Sequence, residues 1–158
     1  MSQVIILYGT LTGNTQVLAE YLAEELKKNS SNRHITCQNV AEISVDFFAN
    51  LASTDLILFG SSTWDDGAYP IDTRNFITEL KKSPPKLNKI PFATFGCGDS
   101  SYGIYYCLAV DNLEQLLTNW GGLKIADGLK IDGYPEMTDA KLATNIWLEK
   151  IASWLKQN

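Results

Sequence analysis

The stretch "VIILYGTLTGNTQVLAEYLAEELKK" (4–28) joins an apolar run to an amphipathic segment through a short polar loop. The run at 4–9 has the length and composition of a buried β-strand. The segment 15–28 places three leucines, spaced four residues apart, on one helical face and its charged residues elsewhere. A strand, a loop and a helix in this order form the repeating unit of α/β proteins.

The same unit recurs along the rest of the sequence. Further strands are predicted at 34–40, 55–60, 90–96 and within 123–133, and further helices at 45–52, 70–82, 107–121 and 139–157. Apolar strands that alternate with helices indicate a parallel sheet with helices on both faces. With 158 residues and no long linker, the sequence predicts a single domain over 1–158. In the last helix, the residues expected to face the core are Leu142, Ile146, Ile151, Trp154 and Leu155.

Composition and charge narrow the range of functions. The formal net charge of −5 disfavours nucleic acid and anionic membranes as partners, because both require clustered Lys and Arg. The three cysteines lack C-x-x-C spacing, which disfavours a zinc site or a disulfide framework. No apolar run approaches the roughly 18 residues of a membrane span. The N-terminal sequence leads straight into a strand without a signal peptide, so we expect a cytoplasmic protein.

In a doubly wound sheet the ligand lies beyond the carboxyl ends of the strands, which here are followed by the loops 9–15, 60–68 and 96–106. The first loop, "GTLTGNT", is rich in hydroxyl groups and has no Lys or Arg. The unpaired amides at a helix N-terminus can bind a phosphate without a cation. The loop matches neither the G-x-x-x-x-G-K-[ST] nor the G-x-G-x-x-G pattern. Taken alone, it is equally compatible with a turn that only caps the helix.

The other two loops each carry an aromatic residue among small and acidic ones. Trp64 lies in "GSSTWDDGAYP" and Tyr102 lies in "GCGDSSYGIYYC". Either residue alone could be an ordinary amphipathic residue at a rim. Two aromatics on adjacent loops beside a phosphate loop favour a sandwich around a flat ring.

Over essentially its whole length the chain resembles a flavodoxin. The resemblance rests on "LYGTLTGNTQVLA", "GSSTW", "GCGDSSY" and "DGLKIDG". No long insertion divides the fifth strand, and in this respect the chain resembles the short-chain group. The resemblance implies a flavodoxin-like, doubly wound, five-stranded parallel sheet with strand order 2-1-3-4-5 and a non-covalently bound FMN.

The resemblance also assigns roles to individual residues. The FMN phosphate is expected on Thr10, Leu11, Thr12, Gly13, Asn14 and Thr15. Ser62 and Thr63 are expected to meet the phosphate and the ribityl chain. Trp64 and Tyr102 are expected to cover the two faces of the isoalloxazine ring, whose pyrimidine end lies against Cys97, Gly98 and Asp99. The remaining residues expected at the site are Asp65, Asp66, Gly67 and Tyr105.

The chain departs from the family pattern at two places. Asp65 follows Trp64 where many short-chain relatives have Gly. In that family a peptide of this loop rotates so that its carbonyl accepts a hydrogen bond from N5–H of the one-electron-reduced flavin, and a side chain at this position resists the positive φ required. We therefore expect a less stabilised one-electron-reduced state than in a Gly relative. The loop "YGIYYC" is one residue longer than the short-chain pattern, which leaves the placement of Ile104, Tyr105 and Tyr106 open.

The resemblance implies an electron carrier rather than an enzyme, with no catalytic residue and no metal. Carboxylates on the flavin loops predict a low potential, and we expect a monomer that meets basic patches on a reductase and on acceptor proteins. An alternative is an FMN-dependent enzyme that resembles quinone reductases, although Trp64 and Tyr102 covering both ring faces disfavours it. A signalling receiver domain is excluded, because the loop after the first strand has no acid and "GSSTW" follows the third.

Overall fold

A parallel sheet of six strands forms the middle layer of the computed structural model, which describes residues 2–158. In chain order the strands are β1 (Gln3–Gly9), β2 (His34–Asn39), β3 (Leu56–Ser61), β4 (Pro91–Gly98), β5 (Leu123–Lys124) and β6 (Leu129–Asp132). They lie in the order β2-β1-β3-β4-β5, and β6 also pairs with β4. The predicted strand order is therefore confirmed, with β2 at one edge.

Four helices cover the two faces of the sheet. They are α1 (Asn14–Asn29), α2 (Ile71–Lys82), α3 (Leu108–Asn119) and α4 (Thr138–Gln157). Successive residues of β1 point to opposite faces, so Val4 and Ile6 pack with α1 and α4, while Ile5 and Leu7 pack with α2 and α3. Within residues 2–158, no helix is both long and apolar enough to cross a membrane. A short 3₁₀ segment at Val45–Asn50 stands where the helix 45–52 was predicted.

The buried face of α4 differs from the predicted one. Leu142 and Ile146, expected in the core, are 61% and 50% exposed. Ile151 and Leu155 are buried as predicted. The face that packs on the sheet consists of Ala140, Thr144, Trp147, Leu148, Ile151 and Leu155. Small residues in the first turns let the helix approach the sheet closely, and the large Trp147 ring fills the space against Phe95.

The fifth strand position holds two short strands instead of the single predicted one. Lys124 pairs with Phe92 and Leu129 pairs with Phe95, so the four residues 125–128 lie opposite only two residues of β4. This bulge is held by the Trp147 indole Nε1, which donates to the carbonyl of Asp127 at 2.8 Å. The prediction that 123–133 contains a fifth strand is therefore confirmed, and the structure divides that strand into two short segments.

Candidate functional site

A cleft of about 450 Å³ lies at the carboxyl ends of the strands, between the three loops that the sequence singled out. The predicted site residues that line it are Thr12, Asn14, Ser62, Thr63, Trp64, Asp65, Cys97, Gly98, Asp99, Tyr102 and Tyr105. Three further residues line it that the sequence analysis did not assign to the site: Cys107, Gly133 and Tyr134. The fold thus brings segments from distant parts of the chain to one opening.

The first loop turns sharply between β1 and α1. Gly13 has a φ of 97°, a left-handed conformation that glycine adopts without steric cost. Its amide donates to the Thr10 hydroxyl at 3.0 Å, so Thr10 stabilises the turn itself. No acidic residue lies in the first turn of α1. The partial positive charge of the helix N-terminus is therefore not neutralised by the chain, which favours an anion there.

Thr15 lies in that first turn, and its hydroxyl makes no hydrogen bond to an oxygen or nitrogen atom of residues 2–158. Its Oγ1 is buried and has no oxygen or nitrogen partner among the described residues, although the Cys97 thiol lies beside it. Leaving a buried hydroxyl unpaired costs about 1–3 kcal/mol, so such groups in proteins are nearly always satisfied. The loop therefore offers a hydroxyl donor for a bound anion.

The second loop is closed by a pair of backbone hydrogen bonds. The Trp64 amide donates to the Ala68 carbonyl at 2.8 Å, and the Ala68 amide donates back to Trp64 at 2.6 Å. Between them Asp65 has a φ of 45° and Gly67 a φ of 90°. A Cβ at Gly67 would lie 2.4 Å from Leu108 Cδ2, so glycine permits close packing against α3. The loop that carries Trp64 is thus tightly constrained.

Two side chains of this loop make hydrogen bonds that orient it. The Trp64 indole Nε1 donates to Ser62 Oγ at 3.0 Å. The amide of Ala109, in the first turn of α3, donates to Thr63 Oγ1 at 3.0 Å. Thr63 therefore caps a helix, and Ser62 sets the direction of the indole ring.

The third loop is a 3₁₀ segment, Ser100–Tyr105, whose chain bends at Gly103. The Asp99 carboxylate accepts hydrogen bonds from the Ser101 amide at 2.9 Å and from the Ser101 hydroxyl at 2.6 Å. These bonds lower the pKa of Asp99 below its usual range. Tyr102 stands on this segment and is 60% exposed.

The longer "YGIYYC" loop now has a defined path. Tyr105 faces the cleft, whereas Ile104 projects into solvent and is 83% exposed. Tyr106 is partly buried and does not line the cleft, and burial raises its pKa. The additional residue is therefore accommodated by turning Ile104 outward.

The floor of the cleft is formed by two buried thiols. Burial raises the pKa of Cys97 to about 12 and that of Cys107 to about 11, so both are neutral near pH 7. Cys107 has a φ of 51° immediately before α3. The floor is consequently uncharged and only weakly polar.

Several predicted residues do not line the cleft. Asp66 and Leu11 are exposed beside it, and Gly67 lies beneath its loop against Leu108. Thr10, Gly13 and Thr15 belong to the first loop without lining the opening. Among the residues that the sequence analysis missed, Gly133 and Tyr134 directly follow β6, so the rule about carboxyl ends of strands could have found them.

Comparisons with known proteins agree with this architecture. The family model described as Flavodoxin matches residues 6–147. A flavodoxin of Maridesulfovibrio salexigens is 39% identical over 86% of this chain and 90% of its own length, and one of Nitratidesulfovibrio vulgaris is 36% identical over 85% and 88%. The crystal structure of oxidised flavodoxin 2 from Bacillus cereus is similar, with a TM-score of 0.83, 25% identity and coverage of 96% of this chain and 98% of that one. The chain belongs to the flavodoxin family.

Proposed function

We propose that the chain passes electrons one at a time from a reductase to acceptor proteins, with FMN held in the cleft. Flavodoxins bind FMN and carry electrons rather than turning over a substrate. For that reason the alternative, an enzyme that resembles quinone reductases, is not proposed. The observation that carries the proposal is the cleft, where a hydroxyl-rich loop at a helix N-terminus meets Trp64 and Tyr102.

The residues of the first loop fit the phosphate end of FMN. The buried Thr15 hydroxyl, which has no oxygen or nitrogen acceptor among residues 2–158, lies at the same helix N-terminus. Thr12 and Asn14 line the cleft and can donate hydrogen bonds. Within residues 2–158 no Lys or Arg lines the cleft, so the proposed phosphate contacts are hydroxyl and amide groups at the N-terminus of α1.

The walls and floor of the cleft fit the flat ring. Trp64 and Tyr102 are proposed to cover its two faces and to exclude water, while Tyr105 lines the same opening. The Cys97 thiol is protonated near pH 7 because burial raises its pKa to about 12. Cys97 is therefore proposed to pack against the ring rather than to react.

The charges around the cleft support a low potential. Bound FMN supplies reversible one- and two-electron redox chemistry. Asp65 and Asp99 line the cleft, and the hydrogen bonds from Ser101, which lower the pKa of Asp99, stabilise its ionised carboxylate. Because no cationic side chain of the described part of the chain lines the opening, these carboxylates disfavour additional negative charge inside it. We propose that the second electron is therefore added at low potential.

The rim of the cleft supports docking to basic partner proteins. Tyr102 and Ile104 expose apolar surface beside the opening, and the carboxylates of Asp65, Asp66 and Asp99 surround it. Complementary charge accelerates the encounter of two proteins and orients them, with a strong dependence on salt. The proposal includes a monomeric chain in the cytoplasm, as the sequence predicts.

Stepwise anaerobic reduction of the FMN-loaded protein tests this function, with the visible absorption spectrum recorded at each step. We expect a one-electron-reduced protein with a long-wavelength absorption band to accumulate at intermediate reduction. Direct conversion to the fully reduced protein would contradict a one-electron carrier. Failure to bind FMN would contradict the assignment of the cleft. A Cys37→Ser variant, altered outside the cleft, is the matched control and should behave as the unmodified protein.

A further inference from the structure

One side chain from the neighbouring strand β6 is hydrogen-bonded to the loop that carries Tyr102. Asp132, the last residue of β6, accepts hydrogen bonds from the Ser100 amide at 2.9 Å and from the Ser100 hydroxyl at 2.5 Å. Among residues 2–158, no other side chain from outside the loop 99–105 makes a hydrogen bond to it. Charge-assisted hydrogen bonds of this kind are stronger than those between neutral groups.

Side-chain packing restrains this loop only at its C-terminal end, where Tyr105 is half-buried. None of the residues Ser100–Tyr105 is buried. Gly103, with a φ of 60°, bends the chain immediately after Tyr102. Segments with few buried contacts open locally at low free-energy cost unless hydrogen bonds restrain them. The position of the Tyr102 ring therefore depends on the hydrogen bonds that restrain the loop.

We propose that Asp132 is a positioning residue that fixes the Tyr102 ring at the cleft by holding Ser100. The inference rests on the proposed function, which assigns Tyr102 to one face of the FMN ring. Asp99 also binds the loop, but it bonds Ser101 within the same segment and so shapes the turn without attaching it to the sheet. Asp132 supplies that attachment because β6 pairs with β4.

Three variants distinguish the effect of the hydrogen bonds that Asp132 makes to the loop from the effect of its negative charge. Asp132→Ala removes both hydrogen bonds. Asp132→Asn removes the charge, yet its amide can accept from the Ser100 amide and donate to the Ser100 hydroxyl. Asp139→Ala is the matched control, since it removes an exposed carboxylate at the start of α4 that makes no hydrogen bond to the loop.

The first readout uses the cofactor-free protein. Amide hydrogen exchange measured by NMR should be about tenfold faster at Ser100 in Asp132→Ala, because the protecting acceptor is lost. Exchange in Asp132→Asn and Asp139→Ala should stay within about twofold of the unmodified protein. Unchanged exchange at Ser100 in Asp132→Ala would overturn the proposal.

The second readout is the affinity for FMN and for riboflavin, which is measured from the quenching of flavin fluorescence on binding. Asp132→Ala should weaken both by about the same factor, roughly fivefold, because the loop acts on the ring and not on the phosphate. Asp132→Asn should restore most of the affinity. A loss confined to FMN, or an equal loss in the Asn and Ala variants, would overturn the positioning role. If the unmodified protein binds neither flavin, the proposed function fails, while Ser100 exchange still decides whether Asp132 restrains the loop.

Discussion

The Trp64 indole Nε1 lies 3.0 Å from the Ser62 hydroxyl oxygen and donates a hydrogen bond to it. Ser62 is buried and directly follows β3, so its hydroxyl is a fixed acceptor. Trp64 is only partly buried, and its ring faces the cleft. One short side chain thus sets the orientation of the largest aromatic residue at the site.

Ser62→Ala should weaken FMN binding by about threefold to tenfold, because the indole loses the hydrogen bond that orients it. Trp64→Phe removes the donor of the same hydrogen bond, the indole Nε1, and keeps an aromatic ring. In a double-mutant cycle measured by FMN titration, Ser62→Ala should add little to the effect of Trp64→Phe. Fully additive losses would show that Ser62 acts on the cofactor independently of Trp64.

Asp65→Gly should raise the maximal yield of one-electron-reduced protein. Asp65 already has a positive φ of 45°. Rotation of the peptide between Asp65 and Asp66 changes the ψ angle of Asp65, and at positive φ the new combination of angles is one that glycine adopts far more readily than other residues. The measurement is stepwise anaerobic reduction followed by visible absorption. Asp65→Asn is the control, because it removes the charge and keeps the side chain. If Asn raises the yield as much as Gly, charge and not backbone freedom explains the effect.

Asp66→Asn should raise the potential of the second electron by on the order of 20 mV, because an exposed carboxylate outside the cleft acts through a solvent of high dielectric constant. Potentiometric titration at low salt measures the shift, which should shrink at about 1 M salt, where the Debye length is near 3 Å. Asp46→Asn is the control, since Asp46 lies near the start of β4 at the other end of the sheet. Equal shifts in the two variants would remove Asp66 from the electrostatic argument.

The parallel sheet could be predicted because its strands are covered on both faces. Every residue from Val4 to Gly9 in β1 is buried, and such a strand is a continuous apolar run in the sequence. The packing of α4 could not be predicted in the same way. Leu142 and Ile146 are spaced four residues apart, as are Thr144 and Leu148, so helical periodicity alone cannot choose the buried face. Contact with the sheet makes that choice.

Part of the candidate site could likewise be predicted from the sequence, and part could not. The rule that ligands lie at the carboxyl ends of parallel strands located all three loops. It was applied only to the loops after the first, third and fourth strands, so it missed Gly133 and Tyr134, which follow β6. Cys107 was missed because its position on the cleft floor depends on a left-handed backbone conformation before α3, which no local pattern of side chains encodes.

Gly67→Ala should destabilise the protein more than Gly133→Ala. Both glycines have positive φ, 90° and 80°, so each substitution costs about 1 kcal/mol of backbone strain. Only at Gly67 does the new Cβ also meet Leu108, at 2.4 Å, and overpacking adds about 1–3 kcal/mol. Urea denaturation of the cofactor-free variants measures the difference in free energy of unfolding. Equal losses would mean that Leu108 moves aside freely and that the second loop is not packed firmly against α3.

The hydrogen bonds between Asp99 and Ser101 should be lost in acid, with a midpoint below the ordinary carboxyl pKa. Ser101 stabilises the ionised form, so the pKa of Asp99 is lower in the folded protein than in the unfolded chain. The stabilisation is then fully present above the ordinary pKa of about 3.9 and disappears as the pH falls through the lowered value. The NMR chemical shift of the Ser101 amide should follow this titration. In Asp99→Asn the amide oxygen accepts the bond at every pH, so the shift should no longer titrate there. A Ser101 midpoint at or above about 3.9 in the unmodified protein would contradict the assignment of these bonds.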